Sequence, residues 1–454
     1  MGESEAKVEK SMSGKDDVDL ANAVGESFIP SNWFTDQDIP RREREHLWSR
    51  VWQTACRVEE LPEVGDYVTY EIAGESIIVV RTAADGIVAY YNVCQHRGRR
   101  LEDKPSGNVR NGFYCTFHGW RYDLDGALTH APGEEDWPCG LKGRANLKRL
   151  RCEMWGGWVW INIDPDAQPL LEWLGKVATT LAPLEFENMR RCWYKTIIAP
   201  VDWKVIVQAF NEGYHAGATH TGGISYRPMS SPTVDLTPHS MYFSNWTAWT
   251  RVKQDDQSWT EVKDLREHIH ANCAHLYDTL FAMVLTPTMN AANRLMAEVP
   301  AGTPDEQVVA EFFRMQREET EKIGARWPSD LTLEKSFQLG TGWRVFPNTV
   351  FLPTVDGALW YRFRPHPTDP KSCIFDMWSL GRFAPGREPK IEHEVYQGFD
   401  EFKGQNPFLE EDFENMLAVQ AGMQSRGWQG ALLNPVQEAQ EGIFMRTHRK
   451  YVGE

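Results

Sequence analysis

Cysteine is scarce in this sequence, with eight residues in a chain of 454. A disulfide framework needs a denser and more regular pattern, and six of the eight show no CxxC pairing. We therefore expect these six to be reduced, mostly buried thiols. They are Cys56, Cys139, Cys152, Cys192, Cys273 and Cys373.

Long hydrophobic runs and an excess of basic residues are also missing. No apolar stretch approaches the ~18 residues of a membrane span. The polar start, MGESEAKVEKSMSGKDD, lacks the apolar segment of a signal peptide. A formal net charge of −16 argues against nucleic acid or anionic membrane as a partner. These absences predict a cytoplasmic protein that binds neither nucleic acid nor an anionic membrane.

The length and composition are those of a globular protein with more than one domain. At 454 residues the chain exceeds one ordinary domain, so we expect two. Hydrophobic residues make up 41% and charged residues 25%, which suffices for a sizeable core. The chain has no internal repeat and no low-complexity linker.

Between residues 92 and 120 the sequence contains two cysteines and two histidines in two short groups. Cys94 and His96 are one residue apart, and Cys115 and His118 are two residues apart. Such a set can hold one zinc ion, but zinc modules usually group their thiolates as C-x-x-C. One Cys and one His in each group is instead the pattern of a Rieske [2Fe-2S] centre, where two Cys bind one iron and two His bind the other.

The pattern of short segments divides the chain into three parts. Residues 1–50 are predicted to form a charged arm and a helix that packs on the larger domain. Residues 51–165 contain short β-branched and aromatic segments separated by Gly, Asp and Asn, and predict a small antiparallel β domain. Residues 166–454 alternate helical tracts with strands and predict an α+β domain, in which a curved antiparallel sheet grips helices around a cavity.

Five helical tracts are predicted in this larger domain, and the first covers residues 169–184. The second begins at Asp202 as N-cap and continues to about residue 220. Two others lie near 265–284 and 305–323, and the last covers about 410–427 before a C-terminal tail. Residues 342–353 predict one strand of the sheet.

A second metal site is indicated by His215 and His220. Five residues of ideal helix separate two side chains by about 140°, so the helix must unwind or end near Gly217 for both imidazoles to converge. Two His and one carboxylate form the facial triad of non-haem Fe(II), whose open positions take O₂. Spacing alone leaves four carboxylates as candidates for the third ligand. They are Glu410, Glu411, Asp412 and Glu414.

Together, these motifs resemble one known family. The motifs are CxHRG at 94–98, CxxHGW at 115–120, YHx₄H at 214–220 and the late acidic helix. The chain resembles the large (α) subunit of Rieske-type ring-hydroxylating oxygenases over about residues 30 to 450. The resemblance implies a Rieske domain at 51–165 and a helix-grip (START-like) domain carrying mononuclear iron at 166–454.

The resemblance also implies roles for single residues. The family's third iron ligand is an Asp in a D-x-[DE]-N pattern, which Asp412 begins here. Glu212 stands where the family bridges the first iron His to a cluster His of a neighbouring subunit, and many hydrocarbon dioxygenases have Asp there. Gln208 stands where naphthalene-type enzymes have Asn. The implied cofactors are one [2Fe-2S] cluster, held by Cys94, His96, Cys115 and His118, and one Fe(II), held by His215, His220 and Asp412.

The implied function is that of a terminal oxygenase that activates O₂ to hydroxylate an aromatic or other small apolar substrate. Its electrons come from NAD(P)H through a ferredoxin or reductase. The alternative is oxidative N- or O-dealkylation. An alternative of another class is an electron-transfer Rieske protein with a ligand-binding domain. We expect a homotrimer, and α3β3 stays open.

Candidate pocket residues flank the iron ligands or lie on nearby elements. They are Val207, Gln208, Phe210, Asn211, Ala216, Met283, Leu285, Val350 and Leu352.

Overall fold

The computed structural model describes residues 27–220, 263–435 and 437–453, together with the backbone of four short strands between 233 and 261. The predicted charged arm, residues 1–25, lies outside the described residues. The strands are β1 (Phe28–Pro30), β2 (Gln53–Arg57), β3 (Asp66–Ile72), β4 (Glu75–Ala83), β5 (Gly86–Tyr91), β6 (Ser106–Asn108), β7 (Phe113–Tyr114), β8 (Arg121–Tyr122), β9 (Leu128–His130), β10 (Arg149–Trp155), β11 (Trp158–Asn162), β12 (Arg190–Ala199), β13 (Thr233–Thr237), β14 (Ser240–Phe243), β15 (Arg251–Lys253), β16 (Trp259–Glu261), β17 (Gly342–Val345), β18 (Thr349–Pro353), β19 (Gly357–Pro365), β20 (Cys373–Gly381), β21 (His393–Tyr396) and β22 (Gly430–Leu432).

The helices alternate with these strands mainly in the second half of the chain. They are α1 (Asn32–Thr35), α2 (Ile39–Arg42, continued by a π-turn at Glu43–Leu47), α3 (Leu170–Leu174), α4 (Lys176–Thr180), α5 (Trp203–Phe210), α6 (Ala216–Thr219), α7 (Leu265–Thr279), α8 (Thr286–Glu298), α9 (Asp305–Lys322), α10 (Leu333–Ser336), α11 (Phe399–Phe402), α12 (Pro407–Met423) and α13 (Ala439–Val452). No described helix combines the length and apolar character needed to cross a bilayer.

The first half of the chain forms the predicted small β domain. Seven strands pair in the order β2-β11-β10-β5-β4-β3-β6, and β7-β8-β9 form a separate three-stranded sheet. Every pairing in both sheets is antiparallel. Alternating side chains such as Ile78, Val80 and Val88 meet Phe113 of β7 and Trp120, which precedes β8, in a core of their own. Cys94 and Cys115 belong to this core.

The second half builds an eight-stranded sheet in the order β13-β14-β17-β18-β19-β20-β12-β21. It is antiparallel except at one edge, where β21 pairs parallel to β12. The single strand predicted for 342–353 is wrong: residues 346–348 turn between β17 and β18, which pair as a hairpin. The sequence Phe346-Pro347-Asn348 carries the signal, because Pro does not donate a backbone hydrogen bond to a sheet. The α+β fold class is as expected.

Buried charged side chains and a pair of packed tryptophans connect the two sheets. Arg362 donates to the carbonyl oxygens of Thr54 (2.8 Å) and Ala55 (2.6 Å) in β2, and its guanidinium lies 2.8 Å from the Asp376 carboxylate. The ring of Trp158 lies 4.9 Å from that of Trp360. The small domain is therefore held against the concave sheet by hydrogen bonds as well as by apolar packing.

Helix boundaries differ from the prediction in three places. The helix that follows Asp202 ends at Phe210, and a separate helix α6 begins at Ala216, so the break lies at residues 211–215 and not at Gly217. Helix α8 was not predicted, although Pro287 in its first turn is a start signal. Helix α13 occupies the region predicted as a tail. The division at residues 50 and 165 stays a prediction.

The base of helix α5 is fixed by a buried carboxylate from the N-terminal segment. Asp202 caps the helix by accepting from the Lys204 backbone N–H at 2.8 Å. The Lys204 ammonium donates to Glu43 at 3.0 Å, and Glu43 also lies 2.9 Å from His448 Nε2 in α13. The attraction of Lys204 and the contact with His448 lower the pKa of Glu43 to about 2, against the effect of burial. This network ties two distant segments, those of Glu43 and His448, to helix α5.

Candidate metal centres

Two loops of the small domain present the cysteine–histidine groups in nearly the same conformation. The N–H of Gly98 donates to the Cys94 carbonyl at 3.0 Å, and that of Gly119 donates to the Cys115 carbonyl at 2.9 Å. Both glycines have left-handed backbone, with φ of 76° and 78°. An L side chain rarely adopts this conformation, so each loop needs its glycine to turn behind the histidine.

The four side chains form a compact group with a buried and an exposed end. Cys94 and Cys115 are each 2% exposed, whereas His118 is exposed. The His96 and His118 rings lie 4.5 Å apart. His96 also stacks on Trp120 at 4.9 Å with an interplanar angle of 7°. The cysteines therefore point inward and the histidines toward the surface.

These residues fit a two-iron cluster better than a single zinc ion. Within the described part of the chain they do not form a group whose ligand atoms all lie within 4.8 Å of one another, as ligands of one tetrahedral ion do. His96 Nδ1 is buried without a hydrogen-bond partner among the described residues. Burial raises the pKa of the Cys94 thiol, so a thiolate here needs cationic compensation. A cluster ligated at these atoms meets each of these requirements.

The second site forms where the chain leaves helix α5. His215 precedes α6 as its N-terminal cap residue, and His220 follows it as the C-terminal one. Both Nε2 atoms approach Oδ1 of Asp412 in α12, at 3.4 Å for His215 and 3.6 Å for His220. Within the described residues, these three side chains are the set of metal-capable groups that converges, with all ligand atoms within 4.8 Å. Two imidazoles and one carboxylate suit ferrous iron.

The other acidic candidates have different surroundings. Glu410 accepts backbone N–H bonds from Gly404 (2.7 Å) and Asn406 (3.1 Å), at the turn before α12. Glu414 is exposed. Glu411 lies beside the site, but it contacts His220 Nδ1, the outer ring nitrogen, which is not the one that approaches Asp412. Asp412 is therefore the carboxylate that the structure brings to both Nε2 atoms.

Each histidine of this set has a carboxylate on its outer nitrogen. His215 Nδ1 lies 2.7 Å from Glu212, which also accepts the His215 backbone N–H at 3.0 Å. His220 Nδ1 lies 2.9 Å from Glu411. Although burial disfavours its charged form, hydrogen bonds with Asp412 and Glu212 raise the pKa of His215 to about 10. The site thus favours a positive charge at its centre, and a metal ion supplies one.

One face of helix α12 surrounds His220. Phe408 stacks on the imidazole at 3.9 Å with an interplanar angle of 15°. Glu411 and Asp412 contact its two nitrogens, and Asn415 donates to Thr219 Oγ1 at 3.2 Å. Positions 408, 411, 412 and 415 follow the i, i+3, i+4, i+7 spacing of one helix face. That spacing is visible in the sequence and was the missed signal for Phe408 and Glu411.

The candidate pocket residues lie in different surroundings: some are packed in the core, and others are close in sequence to the proposed iron ligands. Val207 and Val350 are fully buried, Phe210 packs against Tyr361 at 4.7 Å, and Leu285 fills the space over Gly357 and Gly381. Near the iron ligands, Ala216 directly follows His215, Asn211 is buried, and the Nε2 atom of Gln208 is buried without a partner among the described residues. Leu352 is half-buried against the main core, and the Met283 carbonyl accepts from Thr354 Oγ1 at 2.9 Å.

Three further residues border this site and were not predicted from the sequence. Tyr361 in β19 is 2% exposed, and burial together with the charge of Asp412 raises its pKa. Glu438 and Glu441, at the start of α13, interact electrostatically with Glu212, and burial raises the pKa of both carboxyl groups. Glu438 and Glu441 were not predicted because α13 itself was not predicted.

Comparison with known proteins identifies both halves of the molecule. The family model of the Rieske [2Fe-2S] domain matches residues 51–152. That of the ring hydroxylating alpha subunit (catalytic domain) matches residues 186–453, more than half of the chain. The chain belongs to the ring-hydroxylating oxygenase alpha-subunit family. Family membership confirms the predicted fold class and cofactors, a Rieske [2Fe-2S] cluster and a mononuclear iron, and excludes a zinc module.

Relatives in this family include oxygenase subunits from several bacteria. The chain is 36% identical over 222 residues to the carnitine monooxygenase oxygenase subunit of Escherichia coli (strain K12), covering 48% of this chain and 57% of that protein. It is 29% identical over 203 residues to the glycine betaine monooxygenase oxygenase subunit of Chromohalobacter salexigens, covering 44% and 45%. The matches thus span about half the length of these curated relatives.

The fold is shared along nearly the whole chain. The structure of a quaternary ammonium Rieske monooxygenase, described with carnitine oxidation and inter-subunit electron transfer, superimposes with a TM-score of 0.62 at 18% identity. The match covers 96% of this chain and 99% of that one. Both the small β domain and the curved sheet therefore have counterparts in a solved Rieske oxygenase.

Proposed function

We propose that this protein is the terminal oxygenase of a Rieske non-haem iron system that oxidises a quaternary ammonium or related N-alkyl substrate at a carbon bonded to nitrogen. The observation that carries the proposal is the convergence of His215, His220 and Asp412 in a chain that also has a Rieske domain. An electron carrier needs no such convergent set, so the electron-transfer alternative is disfavoured.

The substrate class is supported first by the relatives. Carnitine and glycine betaine both carry a quaternary ammonium group, and the proteins named for their oxidation align with this chain. The dealkylating alternative from the sequence therefore has more support than hydroxylation of an aromatic ring.

The surroundings of the iron ligands also suit a cation. Glu212 and Glu411 add negative charge beside His215 and His220, and the net charge of the chain is −16. Negative potential raises the local concentration of a cationic substrate. The rings of Phe408 and Tyr361 border the ligands, and aromatic faces attract quaternary ammonium groups.

In this proposal each residue has a distinct role. Cys94, His96, Cys115 and His118 hold the cluster, and His215, His220 and Asp412 hold the iron. When bound, the iron supplies activation of dioxygen beside the substrate. The chain orients both imidazoles through outer carboxylates and keeps water out with the buried apolar wall. Gln208 Nε2 provides a buried donor near the site.

Glu212 is proposed as the bridge between subunits. Its carboxylate already holds His215 Nδ1 at 2.7 Å, and its side chain retains 9% exposure. The second carboxylate oxygen accepts backbone N–H bonds from Tyr214 and His215. A carboxylate can accept from two imidazoles, so Glu212 fits a position between His215 and the exposed His118 of a neighbouring copy. We also propose that the chain forms a homotrimer and receives its electrons from a ferredoxin or reductase. The proposed domains are residues 51–165 for the cluster and 166–454 for the iron.

The test is product analysis with ¹⁸O₂. The purified chain, reconstituted with iron and a compatible reductase, is given carnitine, glycine betaine and naphthalene in parallel. We expect turnover of the N-alkyl compounds with ¹⁸O in the product released after C–N cleavage. Conversion of naphthalene to an ¹⁸O-labelled product, with the N-alkyl compounds unchanged, would contradict the proposal and restore the aromatic alternative.

A further inference from the structure

We propose that Glu411 is a second positioning carboxylate of the iron site, which holds His220 in the tautomer and orientation that bind iron. This inference rests on the proposed function, because it takes His215, His220 and Asp412 as the iron ligands. It assigns to Glu411 a role that differs from that of Glu212.

The first step is the direction of the two imidazole nitrogens. His220 Nε2 lies 3.6 Å from Asp412 Oδ1 and therefore faces the metal position. His220 Nδ1 lies 2.9 Å from a Glu411 carboxylate oxygen. A neutral imidazole carries one N–H, and a carboxylate can only accept. The proton is thereby held on Nδ1, and the lone pair of Nε2 stays free for the metal.

The second step is the mechanical support of that arrangement. The His220 side chain is 6% exposed, and Phe408 covers one ring face by stacking at 3.9 Å. Asn415 ties α12 to Thr219, the residue before His220, at 3.2 Å. Because these contacts and Glu411 come from one face of α12, the ring cannot rotate without breaking several of them. The same helix also supplies Asp412.

The third step separates Glu411 from Glu212. Both carboxylates hold an outer histidine nitrogen, but Glu212 precedes His215 by three residues, whereas Glu411 reaches His220 from a distant helix. Glu411 therefore couples the position of α12 to the His220 ring, and so it acts on iron affinity. The proposed electron route through Glu212 and His215 does not include Glu411.

The experiment measures Fe(II) affinity of the full chain with its cluster in place. Glu411→Leu removes the acceptor, and Glu411→Gln keeps the shape and one acceptor oxygen without the charge. Glu414→Gln, on the exposed side of the same helix, is the matched control. We expect affinity to fall roughly 10- to 100-fold in Glu411→Leu and by less in Glu411→Gln, with no change in the control.

Two further readouts separate positioning from a loss of folding. The Rieske absorbance and the thermal midpoint of the chain that carries its cluster but no mononuclear iron stay unchanged, while the d–d spectrum of a Co(II)-substituted mononuclear site shifts in both Glu411 variants. If Glu411→Gln and Glu411→Leu bind Fe(II) within twofold of the unchanged chain, the proposal is overturned. If the unchanged chain itself holds no iron beyond its cluster, the proposed function falls as well.

Discussion

The two metal centres of this chain are built in opposite ways. The proposed cluster ligands lie within 25 residues of sequence on two loops, and the exposed His118 lies at the surface. Of the proposed iron ligands, His215 and His220 flank helix α6, whereas Asp412 comes from α12 almost 200 residues later and is only 3% exposed. A centre that exchanges electrons with a partner must be accessible, whereas a centre that activates dioxygen benefits from excluding water. The exposed His118 and the buried Asp412 fit these two tasks.

The largest effect is expected when a ligand is removed from one centre only, which tests whether the two centres are independent. Asp412→Ala takes away the carboxylate that both Nε2 atoms face, so we expect loss of the mononuclear iron and of turnover. Iron analysis should fall from about three to about two atoms per chain, with the Rieske spectrum retained. Loss of the cluster in the same variant would show that the two centres do not form independently.

A smaller effect is expected where the two centres communicate. Glu212→Gln keeps the side-chain shape and one acceptor oxygen but removes the charge beside His215. We expect turnover to slow roughly 10- to 100-fold, with both metals retained. Rapid-mixing measurement of electron transfer from the reduced cluster checks this directly. Loss of iron from this variant would assign Glu212 to ligation.

A third effect, on stability, is expected at the junction outside both centres. Asp376 is fully buried between Arg362 and Arg364, at 2.8 and 3.0 Å. Removing its charge in Asp376→Asn leaves the buried Arg362 and the partly buried Arg364 without that compensation, so we expect a loss of about 3–5 kcal/mol in the free energy of unfolding. Chemical denaturation measures it, and a change below 1 kcal/mol would contradict this account.

The same carboxylate gives a pH dependence. Although burial opposes ionisation, Arg362 and Arg364 lower the pKa of Asp376 from 3.8 to about 2 in the folded chain. Its stabilising effect is therefore fully present above about pH 4 and is lost as the pH falls toward 2. Asp376→Asn should show a weaker loss of stability over that window than the unchanged chain.

The smallest expected effect concerns the cluster loops. Gly119 has φ of 78°, and a Cβ there would lie 3.4 Å from Pro132. We expect Gly119→Ala to cost about 1–2 kcal/mol through backbone conformation alone. Gly422, inside α12 with open space around it, is the matched control, and Gly422→Ala should stabilise by about 1 kcal/mol. If Gly119→Ala were as stabilising as Gly422→Ala, the requirement for a left-handed backbone at Gly119 would be contradicted.

The comparison also explains what could be predicted from the sequence. The cluster motif is local, so spacing and neighbouring glycines predict both the ligands and the loop geometry. Their spacing singled out His215 and His220, which the structure brings to Asp412. The predicted site of the helix break was wrong: the chain turns at residues 211–215, where Glu212 accepts two backbone N–H bonds in place of helical ones. The choice of Asp412 required the family pattern, because four carboxylates of one helix have similar local sequence.

Contacts made by distant segments were harder to predict. Glu411 and Phe408 share a helix face with Asp412, but their contact with His220 depends on how α12 packs against α6. Glu438 and Glu441 lie on a helix whose pattern is weak: its buried positions include polar residues such as Gln440 and His448. These side chains are buried because other parts of the chain cover them, and hydrophobic periodicity carries no record of that.

The central claim is that one chain holds a Rieske cluster and a separate ferrous site with open coordination positions. Electron paramagnetic resonance of the reduced chain, with and without nitric oxide as a probe of accessible ferrous iron, tests it directly. We predict a Rieske signal in both samples and, with nitric oxide, an additional high-spin signal of about one spin per chain, which Asp412→Ala abolishes. A Rieske signal without the nitric oxide-dependent one in the unchanged chain would contradict the account.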